Sequence, residues 1–200
     1  MKRVAIFLSI FTSFLIALNN DKPNFKNLNF RFIGPDGNRA IAISGVSSDH
    51  NTYYVGAASG GLFKTTNKGI SWKPIFDDQD VSSVSAIAVS QKNPNILWAG
   101  TGETFLIRPA HAIGDGIYKS EDGGKTWKNM GLQKTARIAK IVIHPKNDKI
   151  VYVAALGHTF GPQEDRGIYK TTNGGKTWKK ILFIDQNTGG IDIALDRKNP

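Results

Sequence analysis

The chain has 200 residues, 40% hydrophobic and 10% aromatic, enough apolar material for one globular domain with a sizeable core. It contains no cysteine, which excludes a disulfide framework, a cysteine–zinc site and a lipoprotein anchor. The formal net charge is +10, a balance that suits nucleic acid or an acidic polysaccharide. Many of the lysines recur at fixed places (Lys64, Lys119 and Lys170; Lys73, Lys128 and Lys179), which spreads them around an array, and nucleic acid is not expected as a partner.

In chain order, "MKR" is followed by the apolar run "VAIFLSIFTSFLIAL" and then by polar "NNDKPN". This pattern reads as a secretory signal peptide over 1–20, since a spanning helix needs roughly 20 apolar residues. No A-x-A pattern precedes Asn19, so an uncleaved N-terminal segment is the alternative and would be the one route to a membrane. Without Lys2 and Arg3 the charge is +8. The rest of the chain is expected outside the cytoplasm, secreted or periplasmic, with 21–38 as a lead-in segment.

From residue 39 the same elements return in order. An alternating apolar run comes first: "RAIAISGV", "SSVSAIAVS", "RIAKIVIHP" and "GIDIALDRKNP". A polar turn and a second run follow ("YYVGAA", "ILWAGT", "IVYVAAL"), then a third ("GGLFKT", "GDGIYKS", "RGIYKT"), a glycine-rich turn and a last short strand at a Trp. Trp72, Trp127 and Trp178 are spaced by 55 and 51 residues. Period-two alternation with β-branched and aromatic residues is strand patterning, and four strands per unit of about 50 residues describe a propeller blade. The expected fold is all-β: a β-propeller with blades over about 39–76, 84–130 and 137–184, and the first strand of a fourth over 191–200. Three blades do not close a ring that usually has four to eight, so the chain is expected to be a fragment whose partners include the remaining blades of a longer chain.

The repeated turn needs a reason of its own. "GGKT" in "KSEDGGKTWKNM" suggests a phosphate loop, but Lys119 stands where that loop needs its first glycine, and no amphipathic helix follows. The three copies instead resemble the Asp-box, or BNR repeat, S/T-x-D/N-x-G-x-S/T-W. Its positions are filled by Thr65, Asn67, Gly69 and Trp72; by Ser120, Asp122, Gly124 and Trp127; and by Thr171, Asn173, Gly175 and Trp178. The Asp or Asn can bond the backbone of its own turn, the glycine can take positive φ, and the Trp can bury a ring against the next sheet. The motif is expected to be a fold staple.

In an up-down blade these turns share one face with the first-to-second turns. The opposite face, at the mouth of the central channel, receives the second-to-third loops and the blade-to-blade links. Blade one has a tight "AASGG" there, whereas blades two and three insert "ETFLIRPAHAIGDG" and "GHTFGPQEDR". The insertions bring Glu103, Arg108, His111 and Asp115 to that face, with His158, Glu164, Asp165 and Arg166. The links add Asp77, Asp78, Asp80, Arg137 and Asp185. Such a set can bind a sugar or peptide, and two carboxylates at the right separation can hydrolyse a glycoside; equally, the side chains can be solvated loop tips with local salt bridges. No metal-ligand spacing and no cofactor motif is present.

Over 28–200 the chain resembles large secreted bacterial proteins with a sortilin/Vps10-like N-terminal propeller, often labelled glycosyl hydrolases. The resemblance rests on "RFIGPDGNRAIAISGV", "YYVGAASGGLFKTTNKGISWKPIFDDQ", "GDGIYKSEDGGKTW" and "IVYVAALGHTFGPQEDRGIYKTTNGGKTW". Asp-box propellers serve unrelated functions. In xyloglucanase-like members the resemblance implies a catalytic aspartate within T-D-x-G-G at the end of a second strand. Here "AASGG" places Ala58 at that position, and "GTGE" places Glu103 near the same level. The expected role is binding of an extracellular peptide or polysaccharide through the mouth loops. Two alternatives stay open: a glycoside hydrolase of sialidase or xyloglucanase type with part of its site in other blades, and a structural or assembly factor.

Overall fold

The computed structural model describes residues 34–35, 39–104, 112–196 and 198–200; the expected signal peptide, Arg108 and His111 lie outside them. Blade one contains β1 (Ala40–Val46), β2 (Asp49–Ala57), β3 (Leu62–Thr65) and β4 (Lys73–Pro74). Blade two contains β5 (Val84–Val89), β6 (Leu97–Thr101), β7 (Ile117–Ser120) and β8 (Lys128–Asn129). Blade three contains β9 (Ile138–Ile143), β10 (Val151–Ala155), β11 (Gly167–Thr171) and β12 (Lys179–Leu182). Each is an antiparallel sheet in chain order, as the expected blades require.

The core lies between sheets. Tyr54, Leu62 and Phe76 of blade one pack with Val84, Leu97 and Tyr118 of blade two. Trp98 and Ile117 pack in turn with Ile138, Val151, Val153 and Tyr169 of blade three. Blade two is thus buried on both faces, against blade one and against blade three, and both cores are shared between neighbours. The first strands β1, β5 and β9 are successive neighbours along the inner edge.

The three tryptophan-ended turns (Trp turns below) are built alike. The hydroxyl of Thr65, Ser120 or Thr171 accepts the N–H of Gly69, Gly124 or Gly175 at 3.0, 2.9 and 3.0 Å. The same hydroxyl donates to the side-chain oxygen of Asn67, Asp122 or Asn173 at 2.8, 2.8 and 2.9 Å. That oxygen also accepts the N–H of Ser71, Thr126 or Thr177. The glycines adopt φ of 83°, 90° and 89°, a region that strains any residue with a Cβ. The indole Nε1 of Trp127 donates to the Ile75 carbonyl at 2.7 Å and that of Trp178 to the Met130 carbonyl at 2.8 Å, so these two turns clasp the blade before them.

Lysines of the repeat join the same cement. The ammonium groups of Lys64, Lys119 and Lys170 lie 5.4, 5.5 and 4.9 Å from the ring centres of Tyr54, Trp98 and Tyr152. Lys64 also donates to the Gly123 carbonyl of the next blade at 2.9 Å.

Residues 191–196, expected as the first strand of a fourth blade, lie beside blade three without a ladder of their own. The Gly190 N–H donates to the Ala155 carbonyl at 2.9 Å, and Asp192 lies 3.4 Å from Lys140. A first strand takes its ladder from the second strand of its own blade, so contact with the preceding blade does not by itself make it a strand.

Candidate binding face at the channel mouth

Backbone bonds fix which residues are equivalent at the mouth. The N–H groups of Ala58, Gly102 and Leu156 donate to the carbonyls of Arg39, Ser83 and Arg137 at 2.9, 3.0 and 2.9 Å. These three form one level, just past each second strand. Glu103 therefore stands one residue beyond the level of Ala58, where Gly102 sits. None of Ala58, Gly102 and Leu156 can carry a proton.

Glu103 is fully buried (0% exposed) and ion-paired with Arg39, the residue before β1. A link from the lead-in of one blade to the loop of the next thus fixes this carboxylate. Asp115, half-buried, accepts the Tyr118 hydroxyl at 2.5 Å, and its own N–H donates to Thr101 Oγ1 at 3.0 Å. Burial, with the Asp115 hydrogen bond second, pushes the Tyr118 phenol up to about 12.

Blade three carries a different device. Arg137 and Arg166 are 3% and 8% exposed. Arg137 donates from Nε to the Gly157 carbonyl at 2.6 Å and from an Nη to the His158 carbonyl at 2.9 Å. Arg166 donates to the carbonyls of Leu156, His158 and Gly161 at 2.6, 2.9 and 3.1 Å. Two guanidiniums therefore share the His158 carbonyl, and among the described residues neither has a carboxylate within ion-pair distance. Burial first, and the neighbouring Arg166 charge second, lower the Arg137 pKa.

Gly157, at φ 86°, lets the loop turn here; a Cβ would sit 2.6 Å from Arg166 Cγ and from Gln163 Oε1. Gln163 closes the loop by accepting the His158 N–H at 2.6 Å and donating to the Lys134 carbonyl at 2.5 Å. The result is a rigid loop that leaves the His158 side chain exposed.

The expected face is brought together in part. Arg137, His158 and Arg166 meet directly. Glu164 is exposed at the rim, where its carbonyl accepts Lys180 and its carboxylate the Gln186 amide. Asp165 lends its carbonyl to the Tyr169 hydroxyl at 3.0 Å. Glu103, at the inner level beside Arg39, and Glu164, beside the outer strand, are held by different neighbours. Asp77, Asp78 and Asp185 are exposed link residues. Hydrogen bonds to the Asn187 backbone and Thr188 hold the Asp185 carboxyl below the ordinary range. Arg39 and Gln163 were not anticipated. Arg39 precedes β1 as Arg137 precedes β9, and that alignment of the repeat was the signal for it.

Among the described residues no group of three His, Asp or Glu side chains could hold a metal ion, and no helix is long and apolar enough to cross a membrane.

No family model matches the chain. It is 27% identical over 153 residues to a probable oligoxyloglucan-reducing end-specific xyloglucanase of Neosartorya fischeri, covering 73% of this chain and 16% of the relative. Over 79 residues it is 32% identical to the vacuolar protein sorting/targeting protein 10 of Kluyveromyces lactis, 39% of this chain and 5% of that one. Among solved structures, an ancestral GH74 enzyme superposes with a TM-score of 0.56 at 25% identity, over 79% of this chain and 20% of the enzyme. The fold is an arc of a β-propeller. The chain spans about a sixth or less of the length of these curated relatives.

Proposed function

We propose that the chain is part of an exported propeller of the Asp-box, sortilin-N-like type that binds an extracellular polysaccharide through its mouth loops. The observation that carries this reading is the blade-three loop, whose backbone is held by Arg137, Arg166 and Gln163 and which leaves His158 exposed at its tip. A pre-formed loop binds without an ordering cost. The likeness to a xyloglucanase favours a neutral β-glucan as the ligand, and makes xyloglucan the first probe.

The test uses the full-length protein on xyloglucan, with retention in an affinity gel and reducing-end release read side by side. His158→Ala, at an exposed tip, is expected to weaken retention about tenfold, a loss of about 1.4 kcal/mol. Glu103→Gln is expected to leave retention unchanged and to alter no turnover. Retention equal in wild type and His158→Ala would remove this face from the binding site. The 27% identity to a xyloglucanase favours hydrolysis as the second reading. Turnover by the wild type that disappears in a folded Glu103→Gln variant, with retention intact, would install it.

A further inference from the structure

Two grooves run along the outer edge of the arc, each between the last strand of one blade and the Trp turn of the next. They are equivalent by the repeat. Lys64, Trp72, Lys73 and Lys125 line the first, and Lys119, Trp127, Lys128 and Lys176 line the second. Their charges differ. The first groove, about 640 Å³, also holds Asp77 and Asp78. The second, about 730 Å³, has no carboxylate at those places and gains Lys149. Lys149 occupies the site of Asn95, since the carbonyls of Asn95 and Lys149 accept the N–H groups of Gly123 and Gly174 at 3.0 and 2.9 Å.

In the second groove Lys119 is committed to Glu121 at 2.6 Å and to the Trp98 ring. Lys128, Lys149 and Lys176 are exposed and make no ion pair among the described residues. Three exposed ammonium groups thus surround a half-buried indole anchored by its Nε1 bond to Ile75, and one of them, Lys128, is also near enough to act on the Glu121 charge. Like charges gathered along a concave wall raise the potential inside it and attract a polyanion.

We propose that the groove between blades two and three binds an acidic, uronate-type polysaccharide. Uronate carboxylates pair with Lys128, Lys149 and Lys176, the apolar face of a pyranose rests on Trp127, and ring hydroxyls meet Thr126 and Thr172. A nucleic-acid backbone fits less well. Its phosphodiester links offer no donor to Glu121, whereas a uronate residue carries, beside its carboxylate, ring hydroxyls that can donate to it. This site is separate from the mouth and does not depend on it.

The test is binding of polygalacturonate to the full-length protein by calorimetry, at low and at physiological salt. Lys149→Glu/Lys176→Glu is expected to weaken binding about tenfold or more, equivalent to about 1.4 kcal/mol. The matched pair Lys73→Glu/Lys125→Glu, with the same change in net charge in the first groove, is expected to weaken it less than about threefold, which is under 1 kcal/mol. Raising the salt is expected to lower affinity, because exposed lysine pairs are screened. Xyloglucan retention reports on the mouth and is expected to be the same in both double variants. Equal weakening by the two pairs would reduce the effect to net charge and overturn the site. So would absence of polygalacturonate binding at low salt, or tighter binding of single-stranded DNA.

Discussion

The two faces of the arc are held by opposite means. On the Trp-turn face the framing bonds are repeated: three hydroxyl–glycine bonds and three hydroxyl–amide or hydroxyl–carboxylate bonds, with lengths that agree to about a tenth of an ångström. At the mouth one backbone bond is repeated, and the side-chain contacts are not. Blade one closes with "AASGG", blade two pins a buried Glu103 to Arg39, and blade three stakes its loop on two guanidiniums bonded to carbonyls. Repetition marks what every blade must do to exist, and its absence marks where blades have diverged.

The largest test of this contrast is Trp127→Ala. It removes the bond to Ile75 and the edge contact with Phe76 at 5.3 Å, and is expected to cost about 3–5 kcal/mol in chemical denaturation. A loss below about 1 kcal/mol, the value of an ordinary surface change, would mean that the turns do not hold the blades together.

At the mouth, Arg166→Met takes bonds from the carbonyls of Leu156, His158 and Gly161 but also relieves the buried repulsion with Arg137. The net cost is expected near 2 kcal/mol. Its signature is loss of amide-exchange protection in 157–163 with the Trp turns unchanged. Loss of protection throughout the arc would show the loop to be structural in the same sense as the turns.

Smaller effects compare the turns with one another. Lys68 has φ 59° where Gly123 and Gly174 stand in the other blades. Lys68→Gly is expected to stabilise by up to about 1 kcal/mol, raising Tm by about 2–4 °C, and no change would show the strain to be absorbed locally.

Asp122 sits where blades one and three use Asn67 and Asn173. The Thr126 hydroxyl donates to its carboxylate at 2.6 Å, while the amides of Asn67 and Asn173 donate outward to Ser71 and Thr177, both at 2.8 Å. The Thr126 hydroxyl and backbone hold the Asp122 carboxyl well below the usual range. Its contribution is then fully present above the unfolded carboxylate pKa of about 3.9 and is lost as pH falls towards the folded value. Asp122→Asn is expected to flatten the acid limb of stability below about pH 4. An acid limb that persists unaltered would assign it to other carboxylates.

Legibility followed the same division. The all-β blades could be read because each turn satisfies itself within a few residues. The mouth could be read only as a set of charged residues. The partner of Glu103 is 64 residues away, and carbonyls, which every residue has, engage Arg137 and Arg166. The offset between Glu103 and Ala58 depends on backbone bonds that side-chain spacing does not reveal. The groove charge was hidden for another reason: Lys149 and Lys176 lie on different turns of blade three, and the groove they line takes its opposite wall from blade two.

The indole clasp gives the chain a direction in time. The Ile75 carbonyl is sealed by Trp127, 52 residues later, and the Met130 carbonyl by Trp178, 48 later. At about 5–20 residues per second, a newly made blade waits roughly 3–10 s on the ribosome before the next one covers it. During that wait the inward ring of Phe76 has only water to face, and a chaperone that recognises aromatic surface would meet this protein once per blade. Ribosome-bound chains halted just before and just after Trp127 should differ in protease resistance around Phe76, and equal resistance would show that each blade folds without its successor.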